Sequence, residues 1–207
     1  IETAAFMNCA NITEINLNDE ITSVGDYAFR NCTKLDTFEL PEQLTTLGSN
    51  AMYNCDSITD IEIPYGLKTV SAYAFYDCDE LTNVCFHSEI TSIYDYSFYS
   101  CGNLENVDLP ESLIDIGSYA FYNCTSFTQI IIPDKVTTIN SSAFRDCINV
   151  GKIVIGESVT TINGYAFSGC TNTTDIYLGK SLKTIATHAF SSLTKIQQII
   201  VPDNVTT

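Results

Sequence analysis

Apolar residues recur along this chain with a period of twenty-three. Phe6, Phe29, Met52, Phe75, Phe98, Phe121, Phe144, Phe167 and Phe190 fall at that interval, with no insertion or deletion between them. A fixed period of this length marks a solenoid, in which each coil buries its apolar side chains by stacking on its neighbours. With the aromatic position counted as zero, position nine runs from Ile15, Phe38 and Ile61 to Ile199, and position eleven from Leu17, Leu40 and Ile63 to Val201. A spacing of two predicts one short parallel strand per coil with a single buried face. At about 4.8 Å between parallel neighbours, the nine coils form a stack roughly 40 Å long.

Other columns complete the coil. Position six is apolar throughout except at Thr173, and positions fifteen and eighteen supply the opposite wall, as in Leu113 and Ile116. Pro41, Pro64, Pro110, Pro133 and Pro202 follow position eleven and end the strand by removing a donor. Gly25, Gly48, Gly117, Asn140 and Asn163 at position nineteen predict a sharp bend with a positive φ. The stretch from there to the next cysteine, residues 117–124 for example, is too short for a stable helix and predicts a helical turn at most.

Residues 1–207 therefore read as a single domain of nine 23-residue repeats. First and last residues occupy adjoining places in the cycle, so the array is expected to be a segment of a longer protein with caps elsewhere. No apolar run approaches the roughly 20 residues of a membrane span, so this segment is not expected to insert in a bilayer. Net charge is -16, from 25 acidic and nine basic residues. That balance repels phosphate backbones and anionic headgroups and argues against nucleic acid as a partner. The charge is uneven: residues 1–115 hold 20 acids and three bases, net -17, whereas residues 116–207 hold five acids and six bases, net +1.

Leu109-Pro110, Leu113, Ile116-Gly117, Ala120-Phe121 and Cys124 spell Leu-Pro-x-x-Leu-x-x-Ile-Gly-x-x-Ala-Phe-x-x-Cys. This string resembles the BspA-like, or Treponema-pallidum-type, leucine-rich repeats, and the resemblance covers the whole chain. Departures fall at Asn18 and His87, where the pattern has Pro, and at Met52, Ser97, Thr173 and Leu193. None shifts the phase. The resemblance implies a right-handed leucine-rich-repeat-like coil stack with little regular helix, carried on secreted or cell-surface proteins. It further implies an adhesin-like role toward host matrix or other cell-surface proteins, without a cofactor.

Eight of the nine cysteines form a ladder at position three, from Cys9 to Cys170. In-register coils would place neighbouring Cα atoms about 5 Å apart, within disulfide range, but parallel Cβ vectors favour buried thiols. A linear stack cannot converge four of them on a zinc ion. Cys85 differs, because position ten points outward. His87 should share its face, with Glu62 and Asp108 one strand away on either side. Two readings stand for this group: unrelated neighbours on an acidic stripe, or ligands of a soft metal, for which no spacing signature speaks. Cysteine-histidine catalysis lacks an oxyanion hole on a flat strand face. His188 sits where other coils place tyrosine and reads as a packing variant.

The outward stripe at position ten runs Asn16, Glu39, Glu62, Cys85, Asp108, Ile131, Val154, Tyr177, Ile200. It turns apolar at the coil where the charge reverses. Four apolar residues in succession make a ridge of roughly 15 Å, rimmed by Gln129, Lys152, Asp175 and Gln198. Strand propensity alone would also select Ile, Val and Tyr. Nine of the 12 tyrosines gather beside the phenylalanine, at positions twenty-one and one. They suit either a carbohydrate or protein surface or a wet-edged cover over the turn. Six Asn-x-Ser/Thr sequons begin at Asn11, Asn31, Asn123, Asn140, Asn172 and Asn204.

The expectation is a non-catalytic, monomeric, extracytoplasmic binding module. Its protein ligand would meet Ile131, Val154, Tyr177 and Ile200, with Glu39, Glu62 and Asp108 on the same face. The alternative is a structural spacer that presents other domains.

Overall fold

The computed structural model, which describes residues 1–105 and 107–207, is a β-solenoid with parallel pairing throughout its described strands. Ile130 pairs with Ile153, and Ile153 with Ile176; Ile61 pairs with Val84, and Val70 with Ile93. Each offset is one sequence period. A residue's place in its cycle therefore sets whether it faces the interior or solvent.

The expected strand appears at positions eight to ten in five coils, whereas residues 37–39, 107–109 and 198–200 form none and Glu14 and Thr37 share only an isolated bridge. Asp60–Glu62 pairs with Asn83–Cys85, and Gln129–Ile131, Lys152–Val154 and Asp175–Tyr177 form a three-stranded sheet. The structure adds a second strand per coil at positions seventeen and eighteen. Thr69–Val70, Ser92–Ile93, Asp115–Ile116, Thr138–Ile139, Thr161–Ile162 and Thr184–Ile185 form one six-stranded sheet, and Ser23–Val24 pairs with Thr46–Leu47. Sequence periodicity gave the apolar column at position eighteen but not its strand, because a two-residue strand contains a single polar-to-apolar step, too short to register as alternation.

Between the second strand and the next cysteine the chain makes consecutive tight turns, and no helix occurs among the described residues. Alternate N–H groups close turns within the coil, as from Arg30 to the Tyr27 carbonyl at 3.1 Å. The others reach the next coil: Tyr27 donates to Ser49 O, Phe29 to Ala51 O and Asn31 to Tyr53 O at 2.8–3.0 Å. This makes the turns a third hydrogen-bonded column along the stack. Its geometry demands left-handed backbone at two places per coil. Position twenty-one has φ near +60°, as at Tyr73, Tyr96 and Tyr119, and so does position two, as at Asn31, Asn54 and Asp77.

The expectation of positive φ at position nineteen is therefore corrected. Gly117 is glycine for another reason: a Cβ there would lie 2.5 Å from the backbone nitrogen of Asp95 in the preceding coil. Close approach of neighbouring coils, not handedness, excludes a side chain at that point. The left-handed requirement was nevertheless legible, since asparagine and aspartate fill position two in six of the nine coils.

The interior is a set of columns. Phe75, Phe98, Phe121, Phe144 and Phe167 are buried and stack with ring centroids 5.3–5.5 Å apart and planes within 7°. Stacked pairs of this kind add about 0.5–1.5 kcal/mol each beyond area burial. Met52 keeps the column filled between Phe29 and Phe75 and is likewise buried. Alanine precedes the ring in most coils because its Cβ is fully enclosed, as at Ala120 and Ala143. Ser97 and Thr173 are the polar substitutes in such columns. Each is satisfied: Ser97 Oγ donates to Ser71 O at 3.1 Å, and Thr173 Oγ1 to Val150 O at 2.8 Å.

The cysteine ladder is reduced. From Cys32 to Cys170 each ladder thiol donates to the carbonyl of the aromatic position one coil back, as Cys101 to Phe75 O at 3.1 Å and Cys124 to Phe98 O at 3.3 Å. Where that carbonyl already accepts an N–H within its own coil, as Phe98 O does from Cys101 and Phe121 O from Cys124, the thiol is its second donor. The thiol therefore satisfies the second lone pair of a buried carbonyl, which alanine or valine could not do. Burial pushes Cys78 and Cys170 up to about 12 and raises Cys55, Cys101, Cys124 and Cys147 well above the usual thiol range.

Candidate functional site

The strand at positions eight to ten sends only its middle residue inward, so its flanking residues line one face of the stack. Ile153 is buried while Lys152 is exposed, and the same alternation holds at Ile130 and Ile61. On this face Ile131 is 51%, Tyr177 56% and Ile200 77% exposed, with Val154 half-buried between them. The register of paired strands sets Ile131 beside Val154 and Val154 beside Tyr177. Lys152 holds its Nζ 5.6 Å from the centre of the Tyr177 ring, a cation–π contact that steadies the exposed aromatic. Gln129, Asp175 and Gln198 complete an exposed polar border.

Glu39, Glu62 and Asp108 are exposed as expected. The face is not one continuous sheet, however. Positions 107–109 form no strand, and Val107 and Leu109 are half-exposed where their counterparts Ile130 and Ile132 are buried. A groove of about 390 Å3 lies there, lined by Val107, Asp108, Glu111, Ile131 and Pro133 among others. Its lining takes in Asp108 from the acidic part of the face and Ile131 and Val154 from the apolar ridge, so it lies where the two meet. Asn106 lies outside the described residues.

His87 does not share a face with Cys85. Its side chain is 8% exposed and turned toward the backbone of the preceding coil. Its Nε2 lies 2.9 Å from Pro64 O and 3.0 Å from Leu67 O, and its Nδ1 accepts the Glu89 N–H at 3.2 Å. Standing where other coils carry proline, the imidazole supplies one donor, shared between two carbonyls, and one acceptor to a turn that has lost its rigid ring. Cys85 is exposed beside Asn83, whose Nδ2 approaches its sulfur at 3.5 Å. Among the described residues no three His, Cys, Asp or Glu side chains are grouped to hold a metal ion.

One residue of this face escaped the reading of the sequence. Tyr65 occupies position thirteen, where six of the other eight coils carry Asp or Glu. It is 69% exposed, and its ring stacks on His87 with centroids 4.7 Å apart. Two departures from the repeat pattern in adjacent coils thus meet in space. The signal was an aromatic in an acidic column, visible only when position thirteen is aligned by itself.

The tyrosines on the turn side form two columns. Tyr53, Tyr76, Tyr99 and Tyr122 stack at 4.6 Å, and Tyr73, Tyr96 and Tyr119 at 4.7–4.8 Å. Arg30 covers the Tyr53 end at 4.4 Å, and Arg145 lies 5.9 Å from the Tyr122 ring at the other. A cation thus lies at each end of the Tyr53–Tyr122 column. His188 extends the pattern by stacking on Tyr165 at 4.8 Å. Burial, followed by the neighbouring tyrosines and Asp77, pushes the Tyr76 hydroxyl up to about 12. Asp56 and Asp77 are raised by partial burial first and then by Asp79 close by. Several sequon amides are already engaged: Asn31 Nδ2 donates to Asn8, Asn140 Nδ2 to Ile116 O and Asn172 Nδ2 to Asn149.

Comparison with known proteins fits this geometry. The profile of the BspA type leucine rich repeat region, in six copies, matches residues 1–124 and 91–207. The chain belongs to this family. Among solved structures, a leucine-rich repeat protein from Bacteroides ovatus is 26% identical with a TM-score of 0.75, over 99% of this chain and 65% of that one. The chain thus spans about two thirds of the length of that relative. The Treponema pallidum leucine-rich repeat protein is 22% identical with a TM-score of 0.70, over 85% of this chain and 78% of its own. A leucine rich cell surface protein from Faecalibacterium prausnitzii is 20% identical with a TM-score of 0.54, over 99% and 71%. These last two likenesses are of fold. No curated protein matches the chain. No described helix is long and apolar enough to cross a membrane.

Proposed function

We propose that this leucine-rich repeat array is a non-catalytic binding module of a secreted or cell-surface protein, adhesin-like in role, which takes a protein ligand on its strand-lined face. The observation that carries the reading is the ridge of Ile131, Val154, Tyr177 and Ile200. The interior columns are complete without these four side chains, so their exposure adds nothing to the fold and costs apolar contact with water. Contiguous apolar surface with a polar border is the usual form of a contact site. The cell-surface description of the Faecalibacterium relative agrees with the placement. The groups a catalyst would draw on are committed elsewhere: His87 to backbone groups of its own and the preceding coil, and the ladder thiols to buried carbonyls.

The test is binding to immobilised host-matrix and cell-surface proteins by surface plasmon resonance. The double variant Val154→Ser, Tyr177→Ser should lose at least about tenfold in affinity with an unchanged circular dichroism spectrum, as expected when two central contacts go. Undiminished binding would overturn the reading and favour a spacer, which should also tolerate removal of one whole coil.

A further inference from the structure

A second groove, of about 710 Å3, lies on the strand-lined face at coils two and three, across the groove at positions 107–109 from the apolar ridge. Phe38, Leu40, Ile63 and Pro64 contribute to its lining, Tyr65 stands at its side, and Asp36, Glu39, Glu42, Asp60 and Glu62 surround it. Among the described residues the ion pairs are Lys68–Glu89 and Arg145–Asp146. None of the five carboxylates around this groove is in an ion pair among the described residues, and Lys68, which donates to the Tyr65 carbonyl oxygen at 3.4 Å, is paired with Glu89.

Tyr65 is a prepared surface. Its ring lies on His87, whose two ring nitrogens are both bound to backbone groups, so the support cannot rotate without giving up those bonds. Most of the Tyr65 ring still faces solvent. The stack on His87 supports one part of the Tyr65 ring and fills no interior column of the solenoid. An aromatic face among unpaired carboxylates, however, suits a planar cation: the guanidinium stacks on the ring while its N–H groups meet the carboxylates.

We infer that this groove receives an arginine side chain of the protein ligand, with Tyr65 as its stacking platform and Glu39 and Glu62 as charge partners. The assignment deepens the proposed function and rests on it for the identity of the ligand as a protein. The acidic and apolar parts of the face then hold a ligand that presents a basic residue to one side and an apolar patch to the other.

An acetylated, amidated tetra-arginine peptide serves as the probe, with tetra-citrulline as its uncharged isostere and tetra-lysine as its non-planar counterpart. Binding is measured by isothermal titration calorimetry, with the Tyr65 ring resonances in the unsubstituted protein locating the site. Arginine should bind in preference to lysine and citrulline, Tyr65→Ala should weaken it about tenfold, and Tyr65→Phe should restore it. Glu39→Gln with Glu62→Gln should weaken it further and flatten its salt dependence. Citrulline binding equal to arginine, an unchanged affinity in Tyr65→Ala, or no binding at all would overturn the assignment. Because Tyr65 is exposed, its loss does not endanger the fold. The ridge variant Val154→Ser, Tyr177→Ser should leave tetra-arginine binding intact, so a failure here is separable from a failure of the apolar ridge.

Discussion

The two strand columns of this solenoid share one period and differ in what they tolerate. At positions seventeen and eighteen the sheet runs unbroken from Thr69–Val70 to Thr184–Ile185, with Thr, Ser or Asp outside and Val or Ile inside. At positions eight to ten the inward residue is equally regular, yet the outward one changes from carboxylate to thiol to aliphatic to aromatic, and positions 107–109 leave the sheet altogether. One wall carries the stack and the other varies. The lesson is that a solenoid needs hydrogen-bonded continuity on part of its circumference, and whatever remains is available for recognition.

The largest expected effect tests the interior that both walls enclose. An unfolded thiol ionises near 9.0, whereas Cys78 and Cys170 keep their protons to about 12 in the fold. Unfolding at alkaline pH therefore releases protons, and stability present below pH 9 falls as pH rises toward 12. Each such thiol should contribute a loss of about 1.4 kcal/mol per pH unit in that window. Urea unfolding at pH 7 and pH 10, under reducing conditions, measures it; a midpoint that does not move would show that the ladder is not held protonated.

A matched pair of valines tests the walls directly. Val70 is buried in the unbroken column, and Val107 is half-exposed in the interrupted one. Val70→Ala should cost about 2 kcal/mol and Val107→Ala about half of that, since the same methyl groups are removed from different depths. Equal losses in chemical denaturation would erase the distinction between the two columns.

A glycine pair holds the smallest expected effect, at Gly102. Gly117→Ala would drive a Cβ against the Asp95 backbone at 2.5 Å, whereas at Gly102 the nearest atom is Thr125 Oγ1 at 3.6 Å. The first should lower stability by about 1–3 kcal/mol and the second by no more than about 0.5 kcal/mol. If both are silent in thermal melts, coil spacing adjusts more freely than close packing allows.

Much of this was legible before any coordinates. The aromatic column, the ladder from Cys9 to Cys170 and the outward stripe follow from place in the cycle, because an uninterrupted period lets one coil stand for all. Tyr177 and Ile131 face solvent for that reason. His87 did not obey it: two residues along from Cys85 it was expected on the same face, but the absence of proline at the strand end let the backbone turn its ring inward to three backbone groups. Gly117 was assigned a handedness that belongs to Tyr119 and Asn123. Sequence shows where a residue without a bulky side chain is required, and it does not distinguish an unusual φ from a near collision.

What the sequence determined by itself is the stack: a repeat of constant length, with its apolar columns, can bury them only by laying equivalent residues over one another. What the tertiary structure decided is everything that depends on two coils at once. The thiol that satisfies a carbonyl one coil back, the arginines at the ends of the tyrosine stack and the imidazole that supports Tyr65 all join residues about one period apart. Such pairs have no signature within a single repeat, because their partners are chosen by the rise between coils and the direction of each side chain, and those exist only once the coils have stacked.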